Sequence, residues 1–353
     1  MNIGILTFHW GTNYGGVLQA YCLQEYLISL GHSVEVINYK PRQYDISFTQ
    51  LLFNPKNWKH FVKKYISIKK EKQLEVFRKK FLFRTIRFSS SIEMQGKLNK
   101  YDVLISGSDQ VLNPGFTCHG ENGGASNVYW LSVGRENVLR IGYAISFGCT
   151  VYPKDAEELA SQWVNNFDYI GTRENTGLEI LNQLRYSGEK KLVPDPTLLI
   201  GAALFKKIGV DVNESRGNYT CIYLLRHEKI IKGDVRYIDE KHRPLSMEDW
   251  LKTIVNSKLL ITNSYHGMIM AILARVPFVV MLESGYAQGM NDRFYTLLNK
   301  LELEDRIVDF TENSFDKISS KSIDWKNVDK HIDVFRKEGF SFLDKINYES
   351  ALV

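Results

Sequence analysis

Short apolar runs alternate with helix-spaced apolar stripes along this chain, and the alternation starts afresh past residue 218; no other feature narrows the fold as much. Asn2 to Phe8 is a near-continuous apolar run, the pattern of a parallel strand buried on both faces. The loop Gly11-Thr12-Asn13-Tyr14-Gly15-Gly16 follows, then Val17, Leu18, Tyr21, Cys22, Tyr26, Leu27 and Leu30 at mostly helical spacing. Gly31 stops that helix, and Ser33 to Tyr39 alternates as the next strand. The result is a βαβ unit with a glycine-rich first turn. Further strands are predicted over Asp102 to Ser106, Arg140 to Phe147 and Tyr169 to Thr172, and one ending at Leu192-Val193 before Pro194 and Pro196. Helices are predicted over Lys154 to Phe167 and Thr176 to Leu184. The second block repeats the scheme, with strands at Tyr219 to Leu225, Val235 to Asp239, Leu259 to Thr262 and Pro277 to Leu282. Its helices are Met247 to Ser257 and Gly267 to Ala274, and Asp329 to Leu343 reads as a final helix.

Two such blocks in 353 residues predict two Rossmann-like α/β domains facing a shared cleft, a GT-B-like layout. The expected division is an N-terminal domain over 1–210 with a basic helical insertion near 55–88, a C-terminal domain over 219–325, and a helix and tail over 326–353. The C-terminal domain reads as reduced at its start, because only Arg226 to Asp234 separates two of its strands where a crossover helix is expected. A composition of 44% hydrophobic and 24% charged residues excludes disorder as the main state. No apolar run is long enough to span a bilayer. The start of the chain lacks the basic region of a secretory leader, so a cytoplasmic protein is expected. Cys22, Cys118, Cys149 and Cys221 form no CxxC pair, and no metal site or disulfide framework is expected.

In open α/β sheets ligands sit beyond the carboxyl ends of the strands, so the strand exits are the places to look for chemistry. Asn13, Tyr14, Gly15 and Gly16 stand where backbone amides at a helix start can hold an anion; a plain tight turn is the other reading. The loop is neither a dinucleotide fingerprint nor a Walker A loop, since Val17 stands where the lysine belongs. Thr262-Asn263-Ser264-Tyr265-His266-Gly267 puts a titratable imidazole beside another helix start, with Asn263, Ser264 and Gly267 able to hold a phosphate. Arg173, Arg226 and Arg293 lie at strand exits or nearby turns, where a guanidinium can grip a carboxylate or phosphate, or simply form a surface ion pair. Asp109, between Ser108 and Gln110, is either a general base or a turn residue.

Taken in order, these pieces resemble the polysaccharide pyruvyl transferase family from Asn2 to about Val308. They are Asn13-Tyr14-Gly15-Gly16-Val17-Leu18-Gln19-Ala20, Ser106-Gly107-Ser108-Asp109-Gln110-Val111 with Asn113-Pro114, Tyr143-Ala144-Ile145-Ser146-Phe147-Gly148, Arg173-Glu174, Asp195-Pro196-Thr197-Leu198 and Ser264-Tyr265-His266-Gly267. The resemblance implies a pyruvyltransferase that takes phosphoenolpyruvate as co-substrate, needs no cofactor, and bridges two sugar hydroxyls with a cyclic ketal. It implies that His266 is the acid/base; because ketal formation needs both a proton donor and a proton acceptor, Asp109 is ranked as its weaker partner. Arg173 and Arg293, with Asn263, Ser264 and Gly267, are then expected at the donor. Asn13, Tyr14, Gly15, Gly16, Ser108 and Gln110 are expected at the acceptor or an anion. The competing enzyme reading is a GT-B glycosyltransferase with a nucleotide-sugar donor, and a non-catalytic binding protein is a third.

Charge is concentrated in one segment. Between Pro55 and Phe88 stand nine Lys and three Arg against Glu71 and Glu75, in a chain whose net charge is +5. Trp58, Phe61, Val62 and Tyr65, then Leu74, Phe77 and Phe81, interleave with these cations at helical spacing. One reading is a pair of helices packed on the N-terminal domain with solvated lysines. Another is a basic amphipathic helix that brings residues 56–87 onto an anionic membrane, suiting a sugar carried on a polyprenyl diphosphate. No nucleic-acid recognition motif accompanies the charge.

Overall fold

The computed structural model describes residues 1–45, 61–118, 126–212, 216–225, 234–239, 243–282, 285–308 and 321–349. Trp58 and Arg226, and most of the 226–234 connection, lie outside them. Two wholly parallel sheets form two α/β lobes. The first contains β1 (Asn2–Leu6), β2 (Ser33–Val36), β3 (Val103–Asp109), β4 (Leu139–Ile145), β5 (Tyr169–Thr172) and β6 (Glu189–Leu192) in the order β2-β1-β3-β4-β5-β6. The second contains β7 (Thr220–Tyr223), β8 (Val235–Tyr237), β9 (Leu259–Thr262), β10 (Phe278–Met281) and β11 (Ile307–Val308) in the order β11-β10-β9-β7-β8.

Each order contains one reversal. In the first sheet the chain leaves β1 for one neighbour, β2, and later returns on its other side as β3; in the second it does the same around β7, with β8 and β9. Adjacent strands at such a reversal send their crossovers to opposite faces and open a crevice at their carboxyl ends. The β1/β3 crevice is entered by helix α1 (Tyr14–Ser29), the β7/β9 crevice by the segment after Thr262.

Helix α1 is buried on nearly every face, as its apolar sequence demands. It lies between the first sheet, helix α2 (Phe61–Phe81), the short helix α4 (Pro196–Ile200) that follows helix α3 (Asn175–Gln183), and the second lobe. One apolar core runs from Ile3 and Val17 through to Leu251 and Met268, so the two lobes share it. Tyr14 clamps the junction. Its ring stacks on Trp250 of helix α5 (Met247–Val255) at 5.2 Å and 7°, and its hydroxyl bonds Leu245 N at 2.9 Å and Leu245 O at 2.7 Å. The last helix, longer than its apolar pattern suggested, returns from the second lobe to the first: in Trp325–Glu349, Phe342 packs on Tyr143 and Tyr169 and Arg336 donates to Leu199 O.

Two expectations shift in the structure. Strand β3 runs through Ser106-Gly107-Ser108 to Asp109, so the motif is strand rather than loop. In α2 the buried stripe is Ile66, Leu74 and Phe77, whereas Val62 and Tyr65 are exposed. The helix faces the lobe a partial turn away from the stripe read at its start, because Arg78 is drawn inward to donate to His9 O and Gly11 O.

Tyr14→Phe keeps the stack on Trp250 and deletes both bonds to Leu245. Stability should fall by about 1–2 kcal/mol, read as a lower urea midpoint at unchanged slope.

Candidate active site at the lobe junction

The two crevices meet. Strand β9 ends at Thr262, whose hydroxyl donates to Tyr223 O, and Ser264 caps helix α6 (Tyr265–Leu273) by accepting from Gly267 N. His266 therefore sits in the first helical turn rather than in the loop before it, and its ring is directed at the start of α1. A β-carbon built on Gly15 would lie 2.1 Å from His266 Nδ1. Only a residue without a side chain lets the imidazole approach so closely. At Gly16 the demand is weaker, since a β-carbon built there would meet Phe8 O at 3.3 Å and Asp109 Oδ2 at 3.4 Å.

Around this contact lies a buried ionic cluster. Asp195 caps α4 through Oδ1, which accepts from Thr197 N at 3.0 Å and Thr197 Oγ1 at 2.7 Å. Its Oδ2 accepts from Arg173 Nη1 at 3.2 Å and lies 3.4 Å from His266 Nε2, an ion-pair approach short of hydrogen-bond alignment. Arg173 Nη2 donates to Asp109 Oδ1 at 2.9 Å, and its Nε faces Glu174 Oε2 at 3.5 Å. The Tyr265 ring covers both guanidiniums, 4.9 Å from that of Arg173 and 5.6 Å from that of Arg293 at the start of helix α7 (Asp292–Lys300). Exposure is 5% at His266, 8% at Asp109 and 1% at Arg173.

The electrostatics follow from burial and neighbours. Burial pushes the Asp109 and Asp195 carboxyls up. Arg173, His266 and Arg293 at Asp109, and His266, Arg173 and Thr197 at Asp195, outweigh it and hold both below the usual carboxylate range. Glu174 goes the other way: burial raises it despite Arg173. Arg173 is held above its ordinary value by Asp109, Glu174 and Asp195, against the pull of burial. Burial, then repulsion from Arg173, lowers Arg293 to about 10. Arg293 makes no hydrogen bond among the described residues, and its Nε is buried without a partner.

The structure thus brings together His266, Asp109, Arg173 and Arg293, and adds Asp195, to which the sequence pattern, a strand end between two prolines, assigns no role. Several expected ligand-facing residues are engaged elsewhere. Both Nη atoms of Arg173 are bonded to carboxylates, so it organises acids rather than presenting a free fork. Ser108 is fully buried because β3 continues through it; its amide donates to Gln19, and its hydroxyl bonds Ala144 O at 3.0 Å and lies 3.5 Å from Asp195 Oδ2, behind the ionic cluster. Gln110 accepts from Asn113, and Gly148 packs close against it. Asn263 bridges Leu225 N and O, locking the β7 exit to the β9 exit. Asn13 caps α1 by accepting from Gly15 N, so that amide is taken, and the Tyr14 hydroxyl is bonded to Leu245. The signal that could have found Asp195 is its place one residue before a helix-starting proline, at a strand exit of the same sheet.

Two parallel-sheet α/β lobes meeting at their strand-order reversals define a fold of GT-B type. It resembles MnaA of S. aureus solved with UDP, at a TM-score of 0.52 and 11% identity over 100% of this chain and 97% of that one. It is also similar to UDP-GlcNAc 2-epimerase from Methanocaldococcus jannaschii, at a TM-score of 0.49 and 14% identity over 99% and 100% of the two chains. No curated protein sequence matches the chain. The chain belongs to the polysaccharide pyruvyl transferase family, whose sequence model matches residues 13–285, from the cap of α1 to beyond β10.

Two outcomes test the site. Gly15→Ala must displace the His266 ring or part the lobes, at a cost of about 1–3 kcal/mol in urea unfolding. Asp195 has a folded pKa below the unfolded value of about 3.9, so its stabilisation is present above about pH 4 and is lost as pH falls through the folded value. Asp195→Asn should therefore lower neutral-pH stability by about 3 kcal/mol and flatten the acid limb of a stability-versus-pH curve.

Proposed function

We propose that this chain transfers the pyruvyl group of phosphoenolpyruvate onto two hydroxyls of a sugar, forming a cyclic ketal and releasing phosphate. The observation that carries the reading is the His266 imidazole wedged between Asp195 and Gly15, near the Arg293 guanidinium, which has no hydrogen-bond partner among the described residues, in a chain of the polysaccharide pyruvyl transferase family.

The donor carries a phosphate and a carboxylate and needs cations. Arg293 is the group available to them, whereas Arg173 acts through the carboxylates it holds. A proton adds to the donor's methylene carbon and the central carbon becomes electrophilic. One sugar hydroxyl attacks it, the carbon–oxygen bond to phosphate breaks, and the second hydroxyl closes the ring. Of the two hydroxyl protons, one ends on the new methyl group and one on phosphate. His266, at the lobe junction, is the group that moves these protons in this reading, and Asp109 is the second carboxylate within its field. The acceptor in this reading is a capsule or exopolysaccharide precursor carried on a polyprenyl diphosphate.

His266→Ala should lower turnover by about 10²–10⁴ with the fold intact by circular dichroism. The assay incubates enzyme, phosphoenolpyruvate and lipid-linked or free sugars, and reads phosphate release with the matching gain in acceptor mass. Calorimetry in which uridine diphosphate binds and phosphoenolpyruvate does not would transfer the protein to the nucleotide-sugar glycosyltransferases.

A further inference from the structure

Helix α2 has two faces of different chemistry. On the inner face, Glu71 lies 3.4 Å from Arg78 and 3.6 Å from Lys40, while Glu75 binds Arg84 at 2.6 Å and Arg78 at 3.3 Å. Both acids between Pro55 and Phe88 are therefore turned toward the lobe. The outer face keeps only cations: Lys69, Lys72, Lys79 and Lys80 are exposed, and among the described residues none has a carboxylate within ion-pair distance. Between them on the same stripe stand Val62 at 66%, Tyr65 at 49% and Val76 at 68% exposure. The chain leaving the helix adds Phe83 at 63% and Ile86 at 68%.

We propose that the outer face of α2 docks on an anionic lipid surface, with the lysines at the headgroups and Val62, Tyr65 and Val76 in the interface. The argument is charge complementarity joined to apolar insertion. A soluble polyanion would use the lysines and gain nothing from exposed valine and tyrosine, whereas a membrane interface uses both. No described helix is long and apolar enough to cross a membrane, so the contact is with the surface. The inner face of the same helix holds the glycine loop through Arg78, which ties the docking surface to the approach to His266. The inference does not depend on the chemistry proposed for that histidine.

The test is flotation of the full chain with phosphatidylcholine vesicles and with vesicles containing phosphatidylglycerol. The wild type should float with the anionic vesicles alone, and binding should weaken as salt rises. Replacing Lys69, Lys72, Lys79 and Lys80 by Ser should weaken binding about five-fold per cation. Tyr65→Ser with Val76→Ser should weaken it about ten-fold while leaving retention on heparin unchanged. No flotation at low salt would overturn the proposal. So would an apolar double variant that floats like the wild type, because the patch would then be a site for polyanions in general. Melting temperatures of the variants check folding, and phosphoenolpyruvate calorimetry without vesicles keeps the reading of the active site separate.

Discussion

The carboxylate of Asp195 is the point on which the junction depends. Burying an ion costs several kcal/mol, and the cost is offset only when its lone pairs are filled. Here Thr197 in its own helix start and Arg173 from the exit of β5 donate to it, the Ser108 hydroxyl lies 3.5 Å from Oδ2, and the His266 imidazole of the other lobe approaches to 3.4 Å. The same Arg173 reaches on to Asp109 at the end of β3. A single chain of ionisable side chains thus runs from the first sheet across the junction to the second.

Sheet order explains why those residues can meet. Each lobe opens its crevice where its strand order reverses, and each crevice receives a helix start: α1 in one, α6 in the other. Facing the two crevices brings two helix starts nose to nose, at a distance ordinary side chains would forbid. Gly15 removes the obstruction, and the imidazole of His266 fills the space. Within the glycine loop, Gly15 permits this close approach between lobes, and its amide is bonded to the side chain of Asn13.

The fold class was legible because buried parallel strands and amphipathic helices leave different periodicities, and because the glycine and Ser-Tyr-His-Gly pieces fall in family order. The site was legible only in part. His266 stood out as a titratable group at a strand exit. Asp195 did not, because a Pro-Asp-Pro turn looks the same whether its carboxylate merely caps a helix or also pairs with residues far along the chain. For a related reason the sequence shows the Arg173 guanidinium at a strand exit but not the acids, Asp109 and Asp195, that fold onto it. Ser108 was misplaced by a boundary error. Glycine and serine normally end strands, and nothing local shows that β3 persists through them, paired with β4 as far as Asp109.

The basic segment shows how composition and structure part company. Its excess of positive charge reads as one property, yet the structure divides it. Lys70 lies over the Tyr14 ring at 4.4 Å, Arg78 is fully buried on backbone carbonyls, and Arg84 is paired with Glu75; these cations serve the fold. Because they also draw both acids inward, the lysines left outside face solvent with no carboxylate beside them among the described residues, between exposed apolar side chains. The interior pairing therefore creates the character of the outer face. A count of charges along the sequence cannot show this, since it weighs Arg78 and Lys79 alike although one is interior and the next is exposed.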